Sequence, residues 1–278
     1  MAAWTFARLT MREAARSRFL PITLTLALLY IGLIAWGCHL ILDHTPSIAA
    51  AQASAFGMEI FAFYMVSFVI ALLAVFVTGA STHHDGESGL LQAMLARPVR
   101  RFDVLFGRWL GASLLVAFYV ILLTGGLVLA VGLSVGYYPS RPVEAAALLL
   151  LQGLAILSLR LLFGTFLGNM ASGILPLMLY GLAWMGGLVE TVGQALSVQA
   201  MVTAGIVTSL LIPTDELWRG VAYFLAPETA SALLTQALGR GNPFISLTPI
   251  AAPMVAWSCF YVVATFLVAA WSFARRDV

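Results

Sequence analysis

Long apolar runs dominate the hydrophobic pattern of this 278-residue chain. A helix needs about 20 mostly apolar residues to cross a bilayer, and six segments approach or exceed that length. These segments lie at about 20–42, 56–80, 109–136, 143–168, 173–190 and 251–272. The pattern therefore predicts an all-α integral membrane protein, folded as a single transmembrane domain over residues 1–278.

Residues 191–250 do not fit this pattern cleanly. The stretch TVGQALSVQAMVTAGIVTSLLIP is apolar enough to be a seventh span, but its Gln, Thr and Ser side chains make it a weak one. Four prolines interrupt the region and a fifth, Pro253, follows it, as is typical of broken helices. We expect an external segment at about 191–250 that contains one or two amphipathic helices, which lie on or dip into the outer interface. A seventh span remains the alternative.

The N-terminal segment has two different faces. Three arginines share one face because they are spaced four residues apart: Arg8, Arg12 and Arg16. Trp4, Ala7, Met11 and Ala14 fall on another face. This pattern predicts an interfacial elbow helix before the first span, with its arginines directed toward lipid phosphates.

The stretch HHDGESGLLQAMLARPVRR at 83–101 concentrates polar residues between two apolar runs. Four apolar residues within it form one helical face: Leu90, Leu91, Met94 and Leu95. Asp85 and Glu87 precede that face, where acids stabilise a helix N-terminus, and Pro98 ends it. We predict a short helix at about 85–97. Because it cannot bury its apolar face alone, it lies on the membrane or docks into a groove of a partner.

Arginine positions predict the orientation of the spans. Most arginines lie before the first span, between the second and third spans, or after the sixth, and cytoplasmic loops are enriched in basic residues. An even number of spans places these three regions on one side. We therefore expect both termini, and the 83–101 connection, in the cytoplasm. Glu59 and Glu190 stand at the outer ends of their predicted spans, where interface anchoring is the favoured role over a cation gate.

The basic residues are all Arg, and the absence of Lys excludes several chemistries. A phosphate-binding P-loop and a Schiff-base site both require Lys. His83 and His84 are adjacent and do not have the spacing of a metal motif, so we predict no metal site and no catalytic residue. The net charge of +2 gives no reason to expect nucleic-acid binding. Cys38 and Cys259 lie in separate apolar runs and are expected to be free thiols rather than a disulfide.

Arg160 lies inside the fourth predicted span. An arginine at the centre of a bilayer costs roughly 2.5–3.5 kcal/mol on insertion scales, so such residues usually face other helices or extend toward the interface. We expect Arg160 to extend to the interface or pair with a neighbouring helix, rather than contact a substrate directly.

The sequence DGESGLLQAMLARPVRRFDVLFGRWLGA resembles the cytoplasmic loop of the type-2 ABC exporter permease family. That loop reads E-x-E-x-G-T-L-x-x-L-L-x-x-P-v-s-R, followed after a few residues by G-K-x-L-G. The matching positions are Asp85, Glu87, Gly89, Leu91, Pro98, Arg101, Gly107 and Gly111. Leu90 stands where Thr is usual, and Arg108 where Lys is usual. The stretch LLIPTDELWRG resembles a segment of the NosY-like branch, which is linked to copper-enzyme maturation.

This resemblance implies a transmembrane permease subunit in the cell (inner or plasma) membrane. Its expected partners are two copies of an ABC ATPase, which would bind ATP and Mg, and a second permease, either another copy of this chain or a related chain. No cofactor is expected on this chain. The ATPase-docking residues implied are Asp85, Glu87, Gly89, Leu90, Leu91, Met94, Leu95, Arg97, Pro98 and Arg101, flanked by the elbow helix. A partner outside the cell, and the choice among import, export and mechanical work on another protein, stay open. The alternative function is a secondary, ion-coupled transporter.

Overall fold

The computed structural model describes residues 2–16, 19–45, 47–87, 101–226 and 249–275, and every regular element within them is a helix. The helices are α1 (Ala2–Arg16), α2 (Phe19–His44), α3 (Ile48–Glu87), α4 (Arg101–Val135), α5 (Pro142–Phe166), α6 (Asn169–Leu196), α7 (Gln199–Leu211), α8 (Thr214–Leu225) and α9 (Ala252–Arg275). Six of them, α2 to α6 and α9, are long and apolar enough to cross a membrane. The predicted all-α fold with six spans is confirmed.

Several spans are longer than their apolar cores. Helix α3 begins before and ends after the predicted 56–80, and α4 begins well before the predicted 109. Helix α6 continues to Leu196, so residues 191–196 belong to a span rather than to the external segment. Hydropathy marks only the part of a helix that lies in hydrocarbon, whereas polar ends such as these continue into the interface.

Contacts between antiparallel neighbours define two ends of the bundle. Arg160 of α5 bonds to Ser172 of α6, and Gln152 of α5 lies at the same level as Tyr180 of α6, because both bond to Ser67 of α3. Residue numbers fall along α5 as they rise along α6, so these two helices run in opposite directions. The last turns of α9 pack beside Leu105 near the start of α4. One end of the bundle therefore carries α1, the end of α3, the start of α4 and the end of α9. We call it the termini end, and the opposite end the far end.

The core lies where α3, α4 and α5 meet. Phe63, Ile70, Tyr119, Leu149 and Ile156 are fully or almost fully buried there. Helix α2 and the outer faces of α6 and α9 remain largely exposed, and their exposed side chains are mostly large and apolar. In a membrane protein such surface faces lipid or another membrane helix, because hydrocarbon solvates it without cost.

Helices α7 and α8 form a re-entrant pair rather than a seventh span. Ser197 adopts a left-handed conformation (φ 58°) that ends α6 and turns the chain, and α7 then runs back along α6. The chain bends through 97° between α7 and α8. Arg141 N–H donates to the Phe224 carbonyl, and Ser140 donates to the Ala226 carbonyl. Since residues 140–141 lie at the far end, the chain enters and leaves at the same end.

Close helix contact fixes the re-entrant pair onto α6. Glycines at the α6–α7 crossing bring the two backbones together: a Cβ atom added to Gly205 would lie 2.9 Å from the Gly186 carbonyl oxygen. Small residues permit this approach between membrane helices, where packing rather than hydrophobicity drives association. The expected external segment contains one or two helices, and α7 and α8 lie within its range. Helix α8 packs deeply against α5 rather than lying flat on an interface.

Candidate functional site

The elbow helix α1 packs against the first third of α4. Gly111 sits at the contact, because a Cβ atom there would lie 2.8 Å from the Ala7 carbonyl oxygen. Ala7, Thr10 and Ala14 form the buried face of α1, whereas Arg8 and Arg12 are exposed. Trp4, expected on the apolar face, is 53% exposed. The side chain of Arg16 lies outside the described residues.

Most of the predicted ATPase-docking residues lie outside the described part of the chain. Asp85 and Glu87 belong to the last turn of α3, which continues past the predicted start of a separate helix at 85. Arg101 is the first residue of α4. Residues 88–100, which contain Gly89, Leu90, Leu91, Met94, Leu95, Arg97 and Pro98, are not described. Their docking role therefore stays a prediction.

A charge cluster, of which Glu190 and Asp215 are buried, links the re-entrant pair to α6. Arg219 of α8 lies 3.1 Å from a Glu190 oxygen and 3.0 Å from an Asp215 oxygen, with Glu216 at 3.4 Å. Its guanidinium also donates to the Gly187 carbonyl at 3.1 Å. Burial raises the pKa of Asp215 to about 7, and Arg219 opposes that rise. This charge cluster holds one cation against three acids.

Glycine makes the charge cluster possible. A Cβ atom added to Gly187 would overlap the Asp215 carboxylate, and one added to Gly205 would overlap Glu190. The hydrophobic pattern gave no signal for this cluster. The one available sign was the spacing of Asp215 and Arg219 within PTDELWR, since side chains four residues apart share a helical face.

An aromatic cavity adjoins the charge cluster. Its volume is about 10 Å³, and its lining consists of Tyr64, Tyr180, Trp184, Thr214, Asp215 and Trp218. The Thr214 hydroxyl and the Trp218 indole nitrogen are buried and have no hydrogen-bond partner. A cavity of this volume accommodates about one water molecule, so it is not large enough for an organic substrate.

A polar cluster lies deeper, between α3, α5 and α6. Ser67 and Gln152 bond to each other, with the Gln152 amide 2.8 Å from the Ser67 hydroxyl, and the Tyr180 hydroxyl lies 3.0 Å from Ser67. Gln152 and Ser67 are fully buried. These bonds satisfy polar groups that would otherwise be costly in a membrane interior. Sequence reasoning missed this cluster, because isolated Ser and Gln residues in apolar helices carry no distinguishing pattern.

Arg160 lies in the bundle near the termini end and is 3% exposed. Its guanidinium donates to the Ser172 hydroxyl at 2.6 Å and to the Asn169 side chain, while Nε has no partner. Both partners belong to the first turn of α6. Arg160 thus contacts a neighbouring helix. Pairing with a neighbouring helix is one of the two roles that the sequence favours over direct contact with a substrate.

The predicted interface-anchoring roles of Glu59 and Glu190 are wrong. Glu59 is fully buried, and neither of its carboxylate oxygens has a hydrogen-bond partner. Glu190 is 5% exposed and pairs with Arg219. Position along an apolar run indicated depth in the membrane but not which helix face each residue occupies, and both occupy packed faces.

The structure contains no grouping suited to a metal in its described residues: no three His, Cys, Asp or Glu side chains converge there. Cys38 and Cys259 are both free, the first buried and the second exposed. His83 and His84 fall in the last turns of α3, and their side chains are not described.

Six apolar spans, an elbow helix and a re-entrant pair define a polytopic helical membrane protein with no recognisable catalytic constellation among its described residues. A family model described as ABC-2 family transporter protein matches residues 5–278, and the chain belongs to that family. No curated protein matches the chain closely enough to count as a relative. The protein is thus the membrane-embedded permease subunit of an ABC transporter, and a separate subunit carries the ATPase activity.

Proposed function

We propose that this permease works in an exporter and that its ATPase docks at the termini end, on residues 85–101 and α1. The observation that carries this proposal is the position of α1. Helix α1 packs on α4 at Gly111. Gly111 lies about three turns after Arg101, the first residue of α4 and the residue that follows the 88–100 connection. A partner that contacts the connection therefore meets α1 on the same side.

Helix α4 offers a route for the mechanical coupling. It runs unbroken from Arg101 to Val135, roughly 50 Å at the rise of an α-helix. At its far end, the Tyr137 hydroxyl donates to the Leu225 carbonyl of α8 at 2.9 Å. Movement of the connection by ATP-driven closure of the ATPase would thus reach the re-entrant pair through one rigid element.

The same proposal covers the assembly and its location. Two permease copies and two ATPase subunits form the complex, with ATP and Mg bound by the ATPase. The termini end faces the cytoplasm and the far end faces outward across the inner or plasma membrane. The re-entrant pair then offers a surface to an outside partner. Membership of the NosY-like branch rests on the PTD segment of α8, whose Asp215 anchors Arg219.

Glu59 is the observation that favours the alternative, an ion-coupled carrier. A buried acid without a partner in a membrane bundle is a common element of proton or cation pathways. An ion-coupled carrier works without an ATPase, so the experiment on docking separates the two functions.

The test is to co-express the permease with its ATPase and to compare Leu91→Asp with Leu196→Asp. The first change places a charge on the predicted docking face; the second makes the same substitution at an exposed leucine at the far end. We expect Leu91→Asp to abolish ATPase co-purification and transport, whereas Leu196→Asp retains both. Normal co-purification and ATP hydrolysis in Leu91→Asp would contradict docking, and transport that survives loss of the ATPase would favour the carrier.

A further inference from the structure

The aromatic cavity between α3, α6 and α8 brings unsatisfied polar groups to one place. Thr214, at the start of α8, and Trp218, about one turn later, both line the cavity and share a face of that helix. The Thr214 hydroxyl and the Trp218 indole N–H are buried, and neither has a hydrogen-bond partner among the described residues. A buried polar group without a partner destabilises the fold, so these two groups indicate a ligand that completes them.

Asp215 adds an acceptor to the same cavity. It is one of the lining residues, and its Oδ2 atom pairs with Arg219 Nε at 3.0 Å. A carboxylate oxygen has two lone pairs, so Oδ2 can accept a further hydrogen bond. The carboxylate is held closely in place, because a Cβ atom at Gly187 would overlap it. The cavity therefore meets one donor, one acceptor and one hydroxyl that can act as either.

These groups identify the class of ligand. Aromatic rings beside a carboxylate usually suggest a cation, but a cation has no lone pair with which to accept the Trp218 N–H. A water molecule can accept from Trp218 and donate to Asp215, and the Thr214 hydroxyl can play either part. The cavity volume of about 10 Å³ suits a single water molecule, which needs roughly two to four polar partners. Thr214, Asp215 and Trp218 meet that requirement.

The cavity also lies between the two polar groupings of the bundle. Tyr180 lines it, and the Tyr180 hydroxyl is 3.0 Å from the Ser67 hydroxyl. Ser67 bonds in turn to the Gln152 amide at 2.8 Å, in the centre of the bundle. On the other side of the cavity, Asp215 pairs with Arg219. A ligand in the cavity would therefore extend the charge cluster inward, toward the buried polar cluster.

We propose that the aromatic cavity is a binding site for one water molecule, held by Thr214, Asp215 and Trp218. The indole N–H of Trp218 donates to the water oxygen, the water donates to the Asp215 carboxylate, and the Thr214 hydroxyl makes the third bond. The water satisfies the polar groups of the first turn of α8 and so allows that turn to lie buried against α3 and α6. The site depends on neither ATPase docking nor a transported substrate.

The first experiment compares Thr214→Val with Thr124→Val. Valine has nearly the shape of threonine but lacks the hydroxyl group. Thr124 of α4 is also buried, but its hydroxyl donates to the Val120 carbonyl of its own helix, which keeps its helical bond in the variant. The unfolding equilibrium of the full chain is measured for both variants and the wild type by denaturant titration in uncharged detergent.

The sign of the effect decides whether the cavity binds water. With water bound, Thr214→Val removes one hydrogen bond, and the ratio of folded to unfolded protein falls about fivefold. With a dry cavity, the same change removes a buried hydroxyl that has no partner, and the ratio rises. We expect the fall in Thr214→Val and a clearly smaller change in Thr124→Val. A rise or no change in Thr214→Val, or an equal fall in both variants, would overturn the proposal.

Radiolytic footprinting of the wild-type chain tests for the water directly. An X-ray pulse converts water into hydroxyl radicals, which oxidise the side chains beside them, and peptide mass spectrometry locates the oxidised residues. Trp218 and Tyr119 are both almost fully buried, but Tyr119 lines no such cavity and donates to the Leu20 carbonyl. Relative to the free amino acids, we expect Trp218 to be oxidised several-fold faster than Tyr119. Equal relative rates would overturn the proposal.

Two further measurements complete the test. The faster oxidation of Trp218 should be lost in Thr214→Val and retained in Thr124→Val; unchanged oxidation in folded Thr214→Val would overturn the assigned water position. Thermal unfolding of the wild type is also compared in ammonium chloride and sodium chloride at equal ionic strength. We expect no difference between the two salts, and specific stabilisation by either cation would overturn the assignment of water.

Discussion

Two arginines, Arg219 and Arg160, lie in opposite halves of the bundle and differ in their surroundings; Arg160 is buried, whereas the Arg219 side chain is 20% exposed. Arg219 is surrounded by three carboxylates, of which the closest oxygen is 3.0 Å away. Within the described part of the chain, the partners of Arg160 are neutral and lie in the first turn of α6. The Arg219 region has an excess of acids, whereas the Arg160 region has an excess of positive potential. The same residue type therefore meets two different electrostatic conditions in one fold.

The difference indicates different roles. The Arg219 cluster joins α8 to α6 through ion pairs between a cation and acids of the same chain, as expected of a structural contact. Among the residues that the structure describes, Arg160 bonds to neutral groups, and these bonds hold the first turn of α6 against α5. Arg219 is costly to remove because the buried acids Glu190 and Asp215 would lose their partner, whereas the described partners of Arg160 are neutral.

The largest expected effect is that of Arg219→Met. This change leaves Glu190 and Asp215 buried without a cation, and they must either stay charged or take up protons. Breaking a buried ion pair in this way costs about 3–5 kcal/mol. We expect a corresponding loss in the unfolding free energy measured by denaturant titration in detergent, together with protease cleavage near the α7–α8 bend.

Arg141→Met is the control for that measurement, since Arg141 is exposed and lies next to the Phe224 carbonyl only through its backbone. It should change stability by less than about 0.5 kcal/mol. If the two variants were equally stable, the Arg219 cluster would not be what holds the re-entrant pair.

A smaller effect is expected for Gly187→Ala, which tests whether the close approach of Asp215 supports the cluster. The new methyl group would overlap the Asp215 carboxylate and force it away from Arg219. Overpacking of this kind costs about 1–3 kcal/mol. Gly181→Ala is the matched control on the same helix, because nothing lies near its Cβ position. It should be neutral or stabilising, since alanine favours helix. Equal effects of the two changes on thermal unfolding would contradict a tight fit at Gly187.

The smallest effect is expected for Arg160→Gln in lipid-free detergent. Ser172 keeps its own bonds to the Gly168 and Asn169 carbonyls, and no acid of the described residues loses a partner. The loss of unfolding free energy should be about 1 kcal/mol, the value of an ordinary hydrogen bond. A loss as large as that of Arg219→Met would remove the distinction between the two regions.

The sequence predicted the fold well because the signal for a membrane helix is local. Each apolar run of about 20 residues identifies a span without knowledge of its neighbours, and the six observed spans coincide with the six predicted. The broken character of 191–250 was also visible, because Pro213 interrupts the apolar stretch between α7 and α8. The first and last residues of the helices do not follow from hydropathy, because α3 and α6 extend past their apolar runs.

The residues of the site were harder to predict because they depend on which helix faces meet. Glu59 and Glu190 were assigned to the interface, and both are buried in the bundle. Residues far apart in the chain, such as Ser67 and Gln152, pair only because α3 and α5 pack together. A hydropathy pattern places a residue at a depth in the membrane but does not give its rotation about the helix axis.

The sequence by itself determined that this chain is helical, crosses a membrane six times, has an elbow helix before the first span and lacks the lysine that a nucleotide site requires. These properties follow from composition and from patterns within single helices. Only the tertiary structure decided that the chain leaves α8 at the same end of the bundle at which it enters α7. It also decided that acids surround Arg219, whereas the described partners of Arg160 are neutral. These outcomes depend on close approaches at glycines such as Gly187 and Gly205, where backbones meet because no side chain separates them.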